Sequence, residues 1–121
     1  MNLSLRFARR IRPFVRHELD AAARHESLGE SALAFARLER AHVLGQMSTL
    51  EHVRVHWAML RWALRHHAAA ETLGQVWRTA GALLKTWLWV PTGNTGGANV
   101  SGFEPMPVPA ELQCLIDLAR R

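Results

Sequence analysis

Apolar residues recur at intervals of three and four along most of the first 90 positions, which is the spacing of an amphipathic helix face. Turn residues interrupt this pattern at positions 27–30, 47–48 and 66–68, with Gly29 suited to cap the C-terminus of the first helix. The pattern predicts helices over four stretches, residues 13–27, 31–46, 49–67 and 70–89. Because β-branched residues are sparse, we expect an all-α fold of about four helices arranged as antiparallel hairpins.

Large apolar side chains on the third and fourth predicted helices follow the same helical spacing. We therefore expect these residues to form part of the core: Val53, Trp57, Leu60, Leu64, Leu73 and Trp77.

The composition changes after Val90. Residues 91–102 contain four glycines and residues 105–109 contain three prolines, which predicts an extended segment that wraps over the helices before a short closing helix at 110–119. A chain of 121 residues is long enough for one domain. We expect residues 1–121 to form that single domain, with a basic N-terminal arm (1–12), a helical core (13–89) and a wrapping tail (90–121).

The net charge of +5 is concentrated at the N-terminus. The first 16 residues carry five arginines and no acidic residue, whereas the remainder has ten basic and ten acidic residues. Such a segment could bind phosphate or an anionic surface, but it is also typical of the solvated face of a first helix with Phe7 and Ile11 on its other side. Because no base-reading element accompanies the arm, we do not expect nucleic acid as a partner.

The sequence offers no membrane span or secretory signal, because no stretch reaches about 18 apolar residues and arginines precede any apolar run. We therefore expect a cytoplasmic protein. The single cysteine, Cys114, excludes an intrachain disulfide and a thiolate metal cluster. Any bound metal would have nitrogen and oxygen ligands.

Four residues that bind metals well flank the predicted turn between the second and third helices: Glu39, His42, His52 and His56. Spacings of three and four residues place each pair on one face of its helix, and antiparallel pairing of the helices brings the two faces together. Three imidazoles and one carboxylate would suit a single divalent transition metal, with zinc, iron, nickel and copper all open.

Three further polar residues could orient these ligands by hydrogen bonding: Gln46, Gln75 and Arg78. Gln46 closes the second predicted helix, and Gln75 precedes Arg78 by three residues on the fourth. Arg78 could instead pair with Glu39, in which case the cluster is a buried polar network without metal.

Trp87 and Trp89 lie beside Leu88 and Val90 at the end of the fourth predicted helix, which is therefore apolar on all sides. Such a surface requires cover from the tail or from a partner chain. The sequence accordingly predicts these two tryptophans as interaction residues, with a homodimer as the expected assembly.

Five motifs resemble those of a family of small bacterial proteins that is catalogued only as a domain of unknown function. They are Leu-Glu-Arg-Ala-His-Val-Leu-Gly-Gln at 38–46, His-x-x-x-His-x-x-Met-Leu at 52–60, Gly-Gln-x-x-Arg at 74–78, Gly-Asn-Thr-Gly-Gly at 93–97 and Pro-Met-Pro at 105–107. The resemblance covers nearly the whole chain from about Gly29 onward and implies one intact domain of bacterial origin. It implies no activity, substrate or cofactor.

Three functions are compatible with these residues. We favour a small intracellular, non-catalytic protein that binds a divalent metal through its Glu/His cluster, for metal handling or sensing. The alternative is a helical interaction module, in which the cluster is structural and the tryptophan-rich helix end or the basic arm contacts a partner. A third is an enzyme with a metal-activated water, since three protein ligands would leave a coordination position open.

Overall fold

The computed structural model describes residues 3–66, 71–78 and 106–121, and these residues are helical apart from short connections. The helices are α1 (Leu3–Ser27), α2 (Ser31–Gly45), α3 (Thr49–Arg65), the described part of α4 (residues 71–78) and α5 (Ala110–Arg120). The predicted all-α fold and short closing helix are confirmed. The rest of the predicted fourth helix and most of the predicted wrapping segment lie outside the described residues.

The helices surround one apolar core. α1 contacts α2, α3 and α5, and its most extensive interface is with α2. The largest fully buried apolar side chains come from all four of these helices: Ile11, Val15, Leu44, Val55, Met59 and Leu112. Each contributes about 1.5–3 kcal/mol by leaving water, so tertiary packing stabilises the bundle more than helix propensity does. Within the described ranges, no helix is both long and apolar enough to cross a membrane.

The first helix begins earlier than predicted. α1 runs unbroken from Leu3, and Pro13 lies inside it, so the predicted helix start at residue 13 is wrong. The division of the single domain into an arm, a core and a tail stays a prediction. Proline in a helix interior costs about 3 kcal/mol, but Ile11 and Val15 on either side of it are completely buried and hold both halves of the helix against the core. The N-terminal arginines therefore occupy the exposed face of a helix.

Gly29 ends α1 as predicted. Its φ of +75° is in the left-handed region, which glycine adopts without steric cost. The Glu30 N–H donates to the carbonyl of His25 at 2.9 Å, and the Gly29 N–H donates to that of Glu26 at 3.0 Å. These are the two hydrogen bonds of a Schellman motif, and the resulting turn brings α2 back along α1.

A buried carboxylate connects α1 to α2. Glu18 is only 3% exposed, and it accepts hydrogen bonds from Arg37 and Arg40 of α2, both at 3.1 Å. Arg40 also forms an ion pair with Glu111 at the start of α5. One guanidinium group thus links three helices.

α2 and α3 meet at a corner where a side chain would not fit. A Cβ atom at Gly45 would lie 3.0 Å from the Cβ atom of Glu51 and 3.3 Å from Cγ2 of Val15. Ser48 then starts α3 by accepting a hydrogen bond from the Glu51 N–H, as the sequence predicted. The missing side chain lets α3 start close to both α1 and α2, which fixes the hairpin that carries the candidate site.

Replacing Gly45 with valine should lower the free energy of unfolding by about 1–3 kcal/mol, because the added methyl groups overlap Glu51 and Val15. Urea unfolding followed by circular dichroism measures the change. The control is Ala36→Val, at an exposed position of the same helix, where only helix propensity is lost. Equal destabilisation by the two variants would show that the corner has room for a side chain.

The inward face of α3 differs from the prediction. Trp57 and Leu64, expected in the core, are 53% and 57% exposed, whereas Val55, His56 and Met59 are buried. The face of α3 that carries His56 also carries Val55, Met59 and the buried Ala63. The core contacts and the histidines therefore lie on the same side of this helix.

The described part of α4 has the same unexpected orientation. Gln75 is completely buried, whereas Leu73 and Trp77 are 73% and 77% exposed, contrary to the prediction that these two lie in the core. Burying an amide in place of an indole is unfavourable unless the amide is hydrogen-bonded. The partners of Gln75 therefore explain the orientation of this segment.

Candidate metal centre

Three imidazole rings converge in the hairpin formed by α2 and α3. The Nε2 atom of His42 lies 3.0 Å from that of His52 and 3.1 Å from that of His56, and the last two are 3.1 Å apart. The three nitrogens thus form a nearly equilateral triangle. His42 and His56 are buried and His52 is half-buried, so the triangle is largely shielded from bulk water.

The two helices place these rings by simple geometry. His42 is in the last turn of α2, and His52 and His56 are one turn apart at the start of α3, where residues four apart share a face. The hairpin turn at residues 46–48 brings the end of α2 against the start of α3. The expected convergence of three histidines across this turn is therefore what the structure shows.

Gln75 determines which nitrogen of His56 carries the proton. The Gln75 Nε2 amide donates to the Glu71 carboxylate at 2.6 Å, which only accepts hydrogen bonds when ionised. The opposite end of the same amide, Oε1, must therefore accept from His56 Nδ1, 2.6 Å away. The proton of His56 is on Nδ1, and its Nε2 lone pair is directed at the other two histidines.

Burial keeps two of these rings neutral. Desolvation, together with a smaller effect of the neighbouring His56, lowers the pKa of His52 to about 3. For His56, desolvation again dominates and lowers the pKa to about 4, with the Gln75 hydrogen bond acting in the opposite direction and the charge of Arg78 reinforcing the decrease. Both imidazoles are therefore neutral near pH 7, the form that binds metal ions.

Two of the remaining predicted site residues are Glu39 and Gln46. The His42, His52 and His56 ligand atoms form one group within 4.8 Å, and Glu39, which is half-buried, does not belong to it. Its role as a fourth ligand stays a prediction. Gln46 is buried at the end of α2, and its role in orienting the histidines also stays a prediction.

Gln75 accepts a hydrogen bond from His56, and Arg78 is close enough for its charge to act on His56. Their role in orienting metal ligands stays a prediction. Desolvation lowers the pKa of Arg78, and the carboxylate of Glu71 opposes that change. Glu71 is a supporting residue that the sequence pattern did not indicate. The signal was its position four residues before Gln75, which places both on one helix face.

The predicted interaction residues Trp87 and Trp89 lie outside the described residues, as does the glycine-rich motif at 93–97. Homodimerisation through these tryptophans stays a prediction. The chemistry of the described part of the chain therefore centres on the histidine triangle and its Gln75–Glu71 support.

One comparison with known proteins found a match. The model of a protein family described as "Protein of unknown function (DUF3703)" matches residues 9–116, a range that contains the three histidines, Glu71 and Gln75. Comparisons with curated proteins and with solved structures found none. The family match covers most of the sequence, and the chain belongs to this family of proteins of unknown function.

Proposed function

We propose that the protein binds one divalent transition metal ion through Nε2 of His42, His52 and His56. The observation that carries this proposal is the triangle of Nε2 atoms with sides of 3.0–3.1 Å. Imidazole nitrogen is a preferred ligand of zinc, copper, iron and nickel. The hydrogen bond from His56 Nδ1 to Gln75 is also typical of metal-binding histidines, whose second ring nitrogen usually donates to an oxygen acceptor.

The size of the triangle suits such an ion. In a tetrahedral zinc site with Zn–N distances of about 2.0–2.1 Å, the nitrogens lie about 3.3–3.4 Å apart. The observed separations need to widen by only a few tenths of an ångström. Rotation of the side chains supplies that much movement without displacing either helix.

The geometry of the rings favours a shared cation over hydrogen bonds between the rings alone. His56 uses its only N–H on Gln75, so its Nε2 is an acceptor that requires a donor. A ring N–H points outward along the plane of its own ring, so a proton on one of these rings is directed at a single neighbouring nitrogen. A cation at the centre of the triangle would instead bind all three Nε2 atoms at once.

Three histidine ligands leave a position of a four-coordinate ion available to water or another exogenous ligand. This arrangement supports reversible metal handling or sensing, which we propose as the role of the protein. The predicted cytoplasmic location is compatible with that role and stays part of the proposal.

The test is the metal content of the untagged protein, determined by elemental analysis as purified and after incubation with zinc, iron, nickel or copper. We expect one equivalent of metal per chain for the wild type. Alanine at His42, His52 or His56 should each lower the affinity by roughly a hundredfold or more, because supporting residues alone contribute about 10–100-fold. The matched control is His17→Ala, which removes an exposed histidine of α1 and should leave the affinity unchanged.

Two further variants separate the roles of the supporting residues. Gln75→Ala should lower metal affinity about 10–100-fold without changing the stoichiometry. If the Glu39 carboxylate binds the ion, Glu39→Ala should lower the metal affinity by a similar or larger factor. If it does not, the metal affinity of this variant should equal that of the wild type. Absence of metal uptake, or equal uptake by the wild type and the three histidine variants, would make the cluster a structural polar network. The interaction module would then be the better account of the protein.

A further inference from the structure

A groove separate from the histidines lies between α1, the α2–α3 turn and α5. Its volume is about 470 Å³, which is in the range of small-molecule sites. Four arginines line it, two from the first half of α1, one from the end of α5 and one directly after α5: Arg6, Arg10, Arg120 and Arg121. Phe7, Met47 and the buried Ala119 supply apolar lining.

The arginines of this groove have no ion-pair partner among the side chains of the described part of the chain. None of the four groove arginines forms an ion pair with a described carboxylate, whereas Arg37 and Arg40 share Glu18, and Arg54 binds Glu51. Four cationic groups around one concave surface favour an anion. Guanidinium groups bind carboxylate, sulfonate and phosphate oxygens through charge-assisted hydrogen bonds.

The apolar lining restricts the class of anion. Met47 is 52% exposed although it is a large apolar side chain, and Phe7 also lines the groove. A phosphate ion or a nucleic-acid backbone would leave this apolar surface unused. A ligand with an anionic head and an alkyl or aryl body would contact both the arginines and these side chains.

We propose that this groove binds a small amphipathic organic anion, with its charged head held by the arginines and its apolar body packed on Phe7 and Met47. The site shares no residue with the histidine cluster. It therefore does not rest on the metal proposal, and each can fail without the other.

Fluorescence titration of the full chain with 8-anilinonaphthalene-1-sulfonate, an aryl sulfonate, tests the proposal, with decanoate and butyrate as competitors. We expect saturable binding at one site, displaced by decanoate at much lower concentration than by butyrate. Arg6→Gln/Arg120→Gln should weaken binding about tenfold or more by removing two charged contacts. Arg12→Gln/Arg16→Gln, which removes the same charge from exposed positions of α1, is the control and should change it little.

Met47→Gln isolates the apolar contribution and should reduce the preference for decanoate over butyrate. Circular dichroism confirms that each variant is folded. The proposal is overturned if the two double-arginine variants bind the probe equally. It is also overturned if inorganic phosphate or an oligonucleotide displaces the probe as well as decanoate does, or if only vesicles of anionic lipid bind. Those results would indicate a purely electrostatic surface or a membrane contact.

Discussion

Replacing Glu18 with alanine should lower the free energy of unfolding by about 2–4 kcal/mol. The variant leaves a cavity and two guanidinium groups without their buried partner, and breaking a buried ion pair usually costs about 3–5 kcal/mol. The lower range follows because the side chains of Arg37 and Arg40 are about one-third exposed, so water recovers part of the loss. Urea unfolding at pH 7 measures the effect.

Glu111→Ala is the matched control for Glu18→Ala. It removes the other carboxylate that binds Arg40, but Glu111 is exposed, so its loss should be nearly neutral. Glu18→Gln should fall between the two variants because it keeps the shape and loses the charge. If Glu18→Ala proved as mild as Glu111→Ala, the buried ion pair would not be important for holding α1 against α2.

Acidification should destabilise the metal-free protein, by on the order of 4 kcal/mol between pH 6.5 and pH 4.5. The pKa values of His52 and His56 fall from 6.5 to about 3 and about 4 on folding. Below pH 6.5 the unfolded chain therefore binds protons that the folded chain does not, and stability decreases as the pH falls. Well above pH 6.5 the rings are neutral in both states, and this contribution to the pH dependence disappears. Urea unfolding in the presence of a chelator, repeated at several pH values, gives the slope.

The variant His52→Asn/His56→Asn provides the comparison for that slope. It removes both titrating groups but retains polar side chains. The slope of its unfolding free energy against pH should therefore be smaller, by the equivalent of up to two bound protons. The exposed histidines and the carboxylates titrate in both proteins and cancel in the difference. Identical slopes would show that the two rings are accessible to protons in the folded state.

The parts of the fold that the sequence predicted are those with local signals. Gly29 and Ser48 mark helix ends through bonds to residues only a few positions away, and the bounds of α2, α3 and α5 agree with the prediction to within two residues. The proximity of the three histidines was predictable for the same reason. His42 and His52 flank one turn, so the geometry of a single hairpin brings them together.

The failures all involve contacts between distant segments. Pro13 is tolerated inside α1 because Ile11 and Val15 pack into the core, and no local pattern reports that packing. Apolar spacing likewise placed Trp57 and Trp77 in the core, although α3 and α4 turn their histidine and glutamine faces inward. The spacing of apolar residues does not show that a buried amide has two partners, Glu71 and His56.

The closeness of the three histidines in the sequence has a consequence for the order of folding. His42 and His56 are 14 residues apart, whereas the groove requires α1 to meet α5 across about 100 residues, and closing that longer loop costs about 2 kcal/mol more chain entropy. Short loops also close faster. During synthesis, α2 and α3 are complete before any residue of α5 exists. The histidine triangle, apart from its Gln75 support, can therefore assemble on a nascent chain that has no groove.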